Sequence, residues 1–121
     1  LNQDFRKVFD IIHFKETEKK LTFIYADPPY FQTVERQYKT SAKWNATDTT
    51  DLFEVLDKSG IRFALSEFDN SFVLEQAKKY NLRVIPIGQR RNINNRQNEI
   101  LCVNYDVPTL FNYIKLPLNY I

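Results

Sequence analysis

The feature that most constrains the fold is an apolar run over residues 21–26 that ends abruptly in the sequence Asp-Pro-Pro-Tyr. Such a run predicts a strand that is buried on both faces, as in a parallel sheet. The two prolines end the strand, because neither has an N–H group to give to a ladder and the second holds the first in an extended conformation. The pattern therefore places an acid, a stiff backbone and an aromatic ring at the carboxyl end of a central strand. Open α/β sheets bind their ligands at that edge.

This corner offers two hydrogen-bond acceptors beside a flat ring. Asp27, when ionised, only accepts hydrogen bonds, and the carbonyl of Pro28 is a second acceptor on a rigid support. Pro29 has no N–H group to compete for the ligand, and Tyr30 adds an aromatic face. Two acceptors beside a ring suit a planar ligand with an exocyclic amine, such as adenine. The alternative is a plain strand-ending turn with a capping acid and a packed ring.

The rest of the chain predicts the order β-α-β-α-β-β after one amino-terminal helix, which makes a three-layer α/β unit. The first helix is expected over residues 5–12, where apolar residues recur at helical spacing and Asp4 is a plausible cap. A second helix has an apolar face of Leu52, Phe53, Val55 and Leu56 after a cluster of capping residues at 47–51, and Gly60 ends it. A third follows a turn at residues 66–70 and ends at Asn81.

Three further strands are expected at residues 61–65, 82–87 and 100–105, and the last two are expected to pair as a hairpin. The polar loop between them, residues 88–98, carries Arg90, Arg91 and Arg96, which are suited to phosphate contacts. The alternative is a solvated hairpin loop. Residues 107–121 fit either a short helix packed on the sheet or a surface for a partner.

Composition excludes several classes of protein. The 121 residues contain no apolar run of 18, so no membrane span is expected, and no signal pattern opens the chain. One histidine and one cysteine exclude a zinc site or a Cys–His catalytic pair, and no metal is expected. The single cysteine, Cys102, also excludes an internal disulfide, fits a cytoplasmic protein and is expected to be buried. Two glycines cannot build a glycine-rich cofactor loop.

Asp-Pro-Pro-Tyr after an apolar strand resembles the catalytic motif of DNA amino-methyltransferases, and more specifically of the Dam/DpnM-like adenine-N6 enzymes of the α group. The resemblance continues in residues 2–12, 48–56, 63–66 and 91–105, so it extends along most of the chain. Glu67 departs from the family, which often has asparagine after the serine. The family's glycine-rich cofactor loop and its target-recognition domain have no counterpart here. The absence of methionine, together with the first residue, Leu1, also suggests a piece of a longer protein.

The resemblance implies a Rossmann-like methyltransferase half-domain, mostly parallel with a terminal antiparallel hairpin, in which residues 1–121 are the carboxyl-terminal part. The implied activity is methyl transfer from S-adenosylmethionine to N6 of a flipped adenine in double-stranded DNA, as in DNA methylation or restriction–modification systems. It assigns catalysis to Asp27, Pro28, Pro29 and Tyr30, and also contact with the cofactor to Asp27. The missing amino-terminal half is an implied partner, and the chain alone is expected to be inactive.

Two aromatic residues in the long connection after the motif, Tyr38 and Trp44, are expected to cover the bound nucleotide, as the resemblance implies. Partly buried anchors are the alternative for both. For the chain as a whole, one alternative is a non-catalytic nucleic-acid-binding remnant that uses Tyr30 and the arginine loop without cofactor. An inert structural fragment is the other.

Overall fold

The computed structural model describes residues 3–30, 44–91 and 96–107. A 3₁₀ turn at Phe5–Lys7 leads into the short helices α1 (Val8–Ile11) and α2 (Glu16–Lys19). Four strands and two longer helices follow in the order β1 (Phe23–Ala26), α3 (Ala46–Ser59), β2 (Arg62–Phe68), α4 (Ser71–Lys79), β3 (Arg83–Arg91) and β4 (Arg96–Val103). Within these ranges, no helix combines the length and apolar character that crossing a membrane requires.

The described strands form one mixed sheet in the order β1-β2-β4-β3. β1 and β2 pair in parallel, whereas β4 is antiparallel to both of its neighbours, β2 and β3. The predicted α/β class and the terminal hairpin are confirmed, and the described strands and longer helices come in the predicted order, with the short α2 as an addition. β4 alone reverses direction, because it returns from the β3–β4 hairpin and enters the sheet beside β2.

The core lies between one face of this sheet and the two longer helices. Both helices contribute apolar side chains to it, among them the fully buried Phe53 of α3 and Val73 of α4. The sheet contributes alternate residues of β2 and β4, including Phe63 and Leu65. Alternation puts side chains two apart on the same face of a strand, so Ala64, Ser66 and Phe68 point to the opposite face.

The prediction that residues 21–26 are buried on both faces is wrong for this chain. Leu21 is 91% exposed, and within β1 Phe23 and Tyr25 are 53% and 58% exposed. Ile24 and Ala26, which alternate with them, pack against the core. The reason is that the described helices cover only one face of β1. An apolar run alone does not reveal which of its faces a fold covers.

Strands β2, β3 and β4 are longer than expected. Residues 66–68 were predicted as a turn, but they continue β2, since they pair with β4 and are nearly or fully buried. The predicted loop at residues 88–98 is also wrong over most of its length, because β3 runs to Arg91 and β4 starts at Arg96. Arg90, Arg91 and Arg96 therefore belong to strands. Their polar sequence is typical of a loop, but backbone pairing continues the two strands through it.

Several helix ends follow the expected chemistry, although the boundaries move. Asn45, and not the cluster at 47–51, caps α3, in a capping box with Asp48. Gly60 and Asn81 adopt left-handed φ values of 69° and 56° after α3 and α4. Asp4 accepts a hydrogen bond from the backbone of the first turn, as expected of a cap, but the expected single helix over residues 5–12 is a 3₁₀ turn followed by one short α-helix.

The amino-terminal turn is joined to α3 by an ionic cluster. The Arg6 guanidinium contacts the carboxylates of Asp4, Asp48 and Asp51. Hydrogen bonds to Asp51 and then Asp48 raise the pKa of Arg6. These contacts hold the segment that precedes β1 against the start of α3, and so help to fix the strand that the Asp-Pro-Pro-Tyr sequence follows.

Candidate active site

The carboxyl end of β1 presents the predicted acid to solvent. Asp27 follows the last residue of β1 and is exposed, as is Pro29, while Pro28 is partly buried. The last pairing of β1 joins Ala26 to Leu65, and β2 continues three residues beyond that point. Asp27 therefore lies where β1 has ended and its neighbour extends further, at the sheet edge where the sequence predicts a ligand.

Tyr30 is half-buried against the extended end of β2 and the start of β4. Its hydroxyl is hydrogen-bonded to Ser66 Oγ and donates to Glu99 Oε2 at 3.0 Å. Its ring meets the ring of Phe68 edge-on, with centroids 4.5 Å apart and planes at 79°. This T-shaped contact places Phe68 directly against the Tyr30 ring, in one of the arrangements that aromatic pairs prefer.

Burial raises the pKa of the Tyr30 hydroxyl from 10.0 to about 12. The hydrogen bond to Glu99 and the negative charges of Glu99 and Asp27 act in the same direction, whereas the bond to Ser66 opposes them. Tyr30 therefore keeps its proton at neutral pH. In this environment it is a neutral ring with a fixed hydroxyl, and it is not a base.

This shift predicts a loss of stability in alkali. Because the pKa is higher in the folded chain than in the unfolded one, Tyr30 contributes stability that is complete below pH 10 and is lost as the pH rises through about 12. Tyr30→Phe removes this contribution. We expect the difference in unfolding free energy between the wild type and Tyr30→Phe to shrink across that interval in urea denaturation. Tyr25→Phe, at an exposed tyrosine, is the matched control, and a difference that stays constant with pH would contradict the expectation.

Trp44 is an anchor at the start of α3. Its ring lies against Phe5, with centroids 5.5 Å apart, and its Nε1 donates to Thr49 Oγ1 at 3.0 Å. This geometry agrees with the alternative that Trp44 is a partly buried anchor, and no contact among the described residues brings it to Asp27. Tyr38, the other aromatic residue predicted to cover a nucleotide, lies outside the described residues.

The three arginines are placed by the backbone register of the hairpin. Arg91 pairs with Arg96, and Arg90 pairs with Gln97. Since Phe68, the last residue of β2, pairs with Glu99, the residues of β4 before Glu99 extend past the carboxyl end of β2. The arginine-bearing end of the hairpin therefore lies beyond the same sheet edge as Asp27.

Sequence reasoning missed Ser66, Phe68 and Glu99 as neighbours of Tyr30. Ser66 and Phe68 belong to the predicted turn, and Glu99 lies between the predicted loop and the predicted last strand. No apolar–polar alternation runs past residue 65, since residues 66 and 67 are both polar, so the local sequence carries no signal that β2 continues. Only the pairing with β4 extends β2 and places Ser66 and Phe68 on one face, beside the end of β1.

Other reactive chemistry is limited in the part of the chain that the structure describes. No group of three or more His, Cys, Asp or Glu side chains there could hold a metal ion. Cys102 is fully buried, and burial raises the pKa of its thiol to about 12, which leaves it protonated and unreactive at neutral pH. No model of a known protein family matches the sequence.

Proposed function

We propose that this chain is the carboxyl-terminal part of a Dam/DpnM-like DNA adenine-N6 methyltransferase, and that its sheet is half of a Rossmann-like domain. The observation that carries the proposal is the exposed carboxylate of Asp27 at the end of a strand, followed by Tyr30 held against the neighbouring strands. The parallel pairing of β1 with β2, followed by an antiparallel hairpin, also agrees with the second half of that family's sheet.

The proposed nucleophile is the N6 nitrogen of adenine, and the site must activate it by holding it in a suitable orientation. The N6 amine of adenine is a weak nucleophile, because its lone pair is delocalised into the ring. The Asp27 carboxylate and the Pro28 carbonyl would accept the two amine hydrogens and direct the lone pair outward. The same carboxylate can receive the proton that the nitrogen loses. This is catalysis by orientation and preorganised electrostatics, without a covalent enzyme intermediate.

The target base must leave the duplex stack to reach this corner, as other base-modifying enzymes require. Tyr30 would stack on the extruded ring, and stacking on an aromatic side chain contributes about 1–3 kcal/mol per base. Arg90, Arg91 and Arg96 lie beyond the same sheet edge, where DNA phosphates would pass. Phosphate contacts of this kind position the duplex without reading its sequence.

The residues present fit one side of S-adenosylmethionine. When bound, this cofactor supplies an electrophilic methyl group on a positively charged sulfur. The exposed Asp27 carboxylate would lie beside it. The described residues contain no glycine-rich cradle, because Gly60 ends α3 and Gly88 lies within β3. The remainder of the cofactor site is proposed to come from residues that precede this chain in a longer protein.

The test measures methyl transfer in two forms of the protein. The chain joined to the residues encoded before Leu1 should transfer labelled methyl from S-adenosylmethionine to DNA and produce N6-methyladenine. The 121-residue chain alone should give no micromolar binding of the cofactor in calorimetry and no transfer. Micromolar binding by the chain alone would contradict the division into halves. A longer form that binds DNA but never methylates it would favour the non-catalytic alternative.

A further inference from the structure

Three side chains from β2 and β4 surround the end of Tyr30. Ser66 and Phe68 are two residues apart on β2 and therefore share a face of the sheet. Glu99 is directly opposite Phe68 in the antiparallel pairing, so its side chain lies on that same face. Because the helices α3 and α4 pack on the other face, this cluster is separate from the main apolar core.

The hydrogen bonds of the cluster have a fixed direction. A tyrosine hydroxyl has one proton, and at Tyr30 that proton is donated to Glu99 Oε2. The hydroxyl of Ser66 must therefore donate to the Tyr30 oxygen. The result is a chain from Ser66 through Tyr30 to Glu99, which ends on a carboxylate. Hydrogen bonds to an ionised acceptor are roughly twice as strong as those between neutral groups.

We propose that Glu99 is a positioning residue that fixes the ring of Tyr30 for stacking against the extruded base. The inference rests on the proposed function. Pro28 and Pro29 limit the backbone before Tyr30, and Phe68 supports one side of its ring. Rotation of the ring away from the sheet is opposed by the bond from its hydroxyl to Glu99. Glu99 thus links the start of β4 to the corner at the end of β1, two segments that are 69 residues apart in sequence.

The energetic case depends on orientation and not on affinity. A purine that stacks on a mobile ring is held less well in line with the transferring methyl group, and a misplacement of about 1 Å costs on the order of 10²-fold in rate. Loss of the Glu99 contact should therefore lower kcat, while the KM for DNA, which depends mainly on phosphate contacts, changes little. A purely structural role for Glu99 would lower the amount of folded protein and leave kcat per folded molecule unchanged.

The experiment is a double-mutant cycle in the longer, methylating protein. Glu99→Ala and Tyr30→Phe should each lower kcat by about 10-fold to 100-fold, since both remove the Tyr30–Glu99 hydrogen bond, and Tyr30→Phe also removes the bond from Ser66. The double variant should be no slower than either single variant. Glu99→Gln keeps an acceptor oxygen and should restore kcat to within about threefold of wild type, since it retains a neutral hydrogen bond. Glu75→Ala, at an exposed glutamate of α4, is the control and should leave kcat unchanged.

The possible results test the positioning role of Glu99 separately from the proposed methyltransferase function. A wild-type protein that never methylates DNA overturns the proposed function. A wild type that methylates, with losses from Glu99→Ala and Tyr30→Phe that multiply in the double variant, overturns the positioning role alone. Tyr30→Phe removes one oxygen and keeps the ring, so it is expected to fold even if Glu99→Ala does not. An unchanged kcat in Tyr30→Phe would by itself overturn the positioning role.

Discussion

Asp27→Ala, made in the proposed full-length DNA methyltransferase, is expected to reduce kcat by about 10²–10³-fold or more, a range typical of the loss of one preorganised polar contact in a transition state. Asp27 carries the largest expected effect because the proposal gives it two tasks. It accepts a hydrogen from the adenine amine, and it takes the proton that the amine loses. Removal of the carboxylate leaves only the Pro28 carbonyl to orient the nitrogen.

The same substitution should leave DNA affinity largely unchanged. Phosphate contacts supply most of the affinity of such proteins for DNA, and the candidate contacts, Arg90, Arg91 and Arg96, belong to the β3–β4 hairpin and not to the Asp27 corner. Asp27 is also exposed, so its replacement removes no buried contact and should change the unfolding free energy by about 0.5 kcal/mol or less. Methyl transfer and DNA binding are therefore expected to separate in this variant.

The measurements are single-turnover methylation and salt-dependent DNA binding, with wild type and Asp57→Ala as references. Asp57 is an exposed aspartate of α3, and its loss should affect neither quantity. Asp27→Asn tests the charge, because asparagine keeps an acceptor oxygen but cannot take up the proton. Transfer by Asp27→Ala at a rate near that of wild type would remove the basis of the proposed mechanism.

The parts of the fold that the sequence predicted are those governed by local chemistry. The residues that end helices, Gly60 and Asn81, adopt the left-handed conformation, which glycine permits because it lacks a Cβ atom and asparagine permits because its side chain is short and polar. Strand existence was also predictable, because apolar runs of four to six residues between polar segments leave few alternatives. The hairpin of β3 and β4 follows from two such runs that are adjacent in sequence.

The parts that sequence reasoning missed depend on pairing across the sheet. Residues 66–68 precede Asp69 and Asn70, which favour a turn, but β4 pairs with residues 66–68 and extends β2. The arginines at positions 90, 91 and 96 have the composition of a loop, but the hairpin continues through them. In both places tertiary pairing overrides local preference, which is the usual limit of single-sequence reasoning.

The candidate site also has one part that local sequence predicts and another part that depends on strand pairing. The acid and ring at the end of β1 could be read from four consecutive residues. Their neighbours Ser66 and Glu99 come from distant strands, and only the register of β2 against β4 brings them to Tyr30. The exposure of Phe23 and Tyr25 was unpredictable for another reason, since an apolar sequence does not state which surfaces will cover it.

Phe53→Ala is expected to destabilise the chain by about 3–5 kcal/mol, the usual cost of removing a buried phenylalanine ring. Phe53 lies in α3 and is fully buried, and its ring is stacked on that of Tyr80 with centroids 6.3 Å apart and planes at 9°. Tyr80 follows directly after α4, so this contact helps to join the two helices that cover the sheet. The substitution would leave a cavity between the helices, and the neighbouring side chains can fill it only in part.

The control is the same substitution at Phe23, which is 53% exposed and contacts Tyr105 edge-on. Phe23→Ala should cost about 1 kcal/mol or less, because most of its ring is already in water. Urea denaturation of both variants measures the difference. A loss of similar size at the two positions would mean that α3 does not pack on the sheet as described. A loss of several kcal/mol at Phe53 alone would support the packing of α3 on the sheet. This packing holds β2 in place beneath Ser66 and Tyr30, and the geometry of the proposed site depends on it.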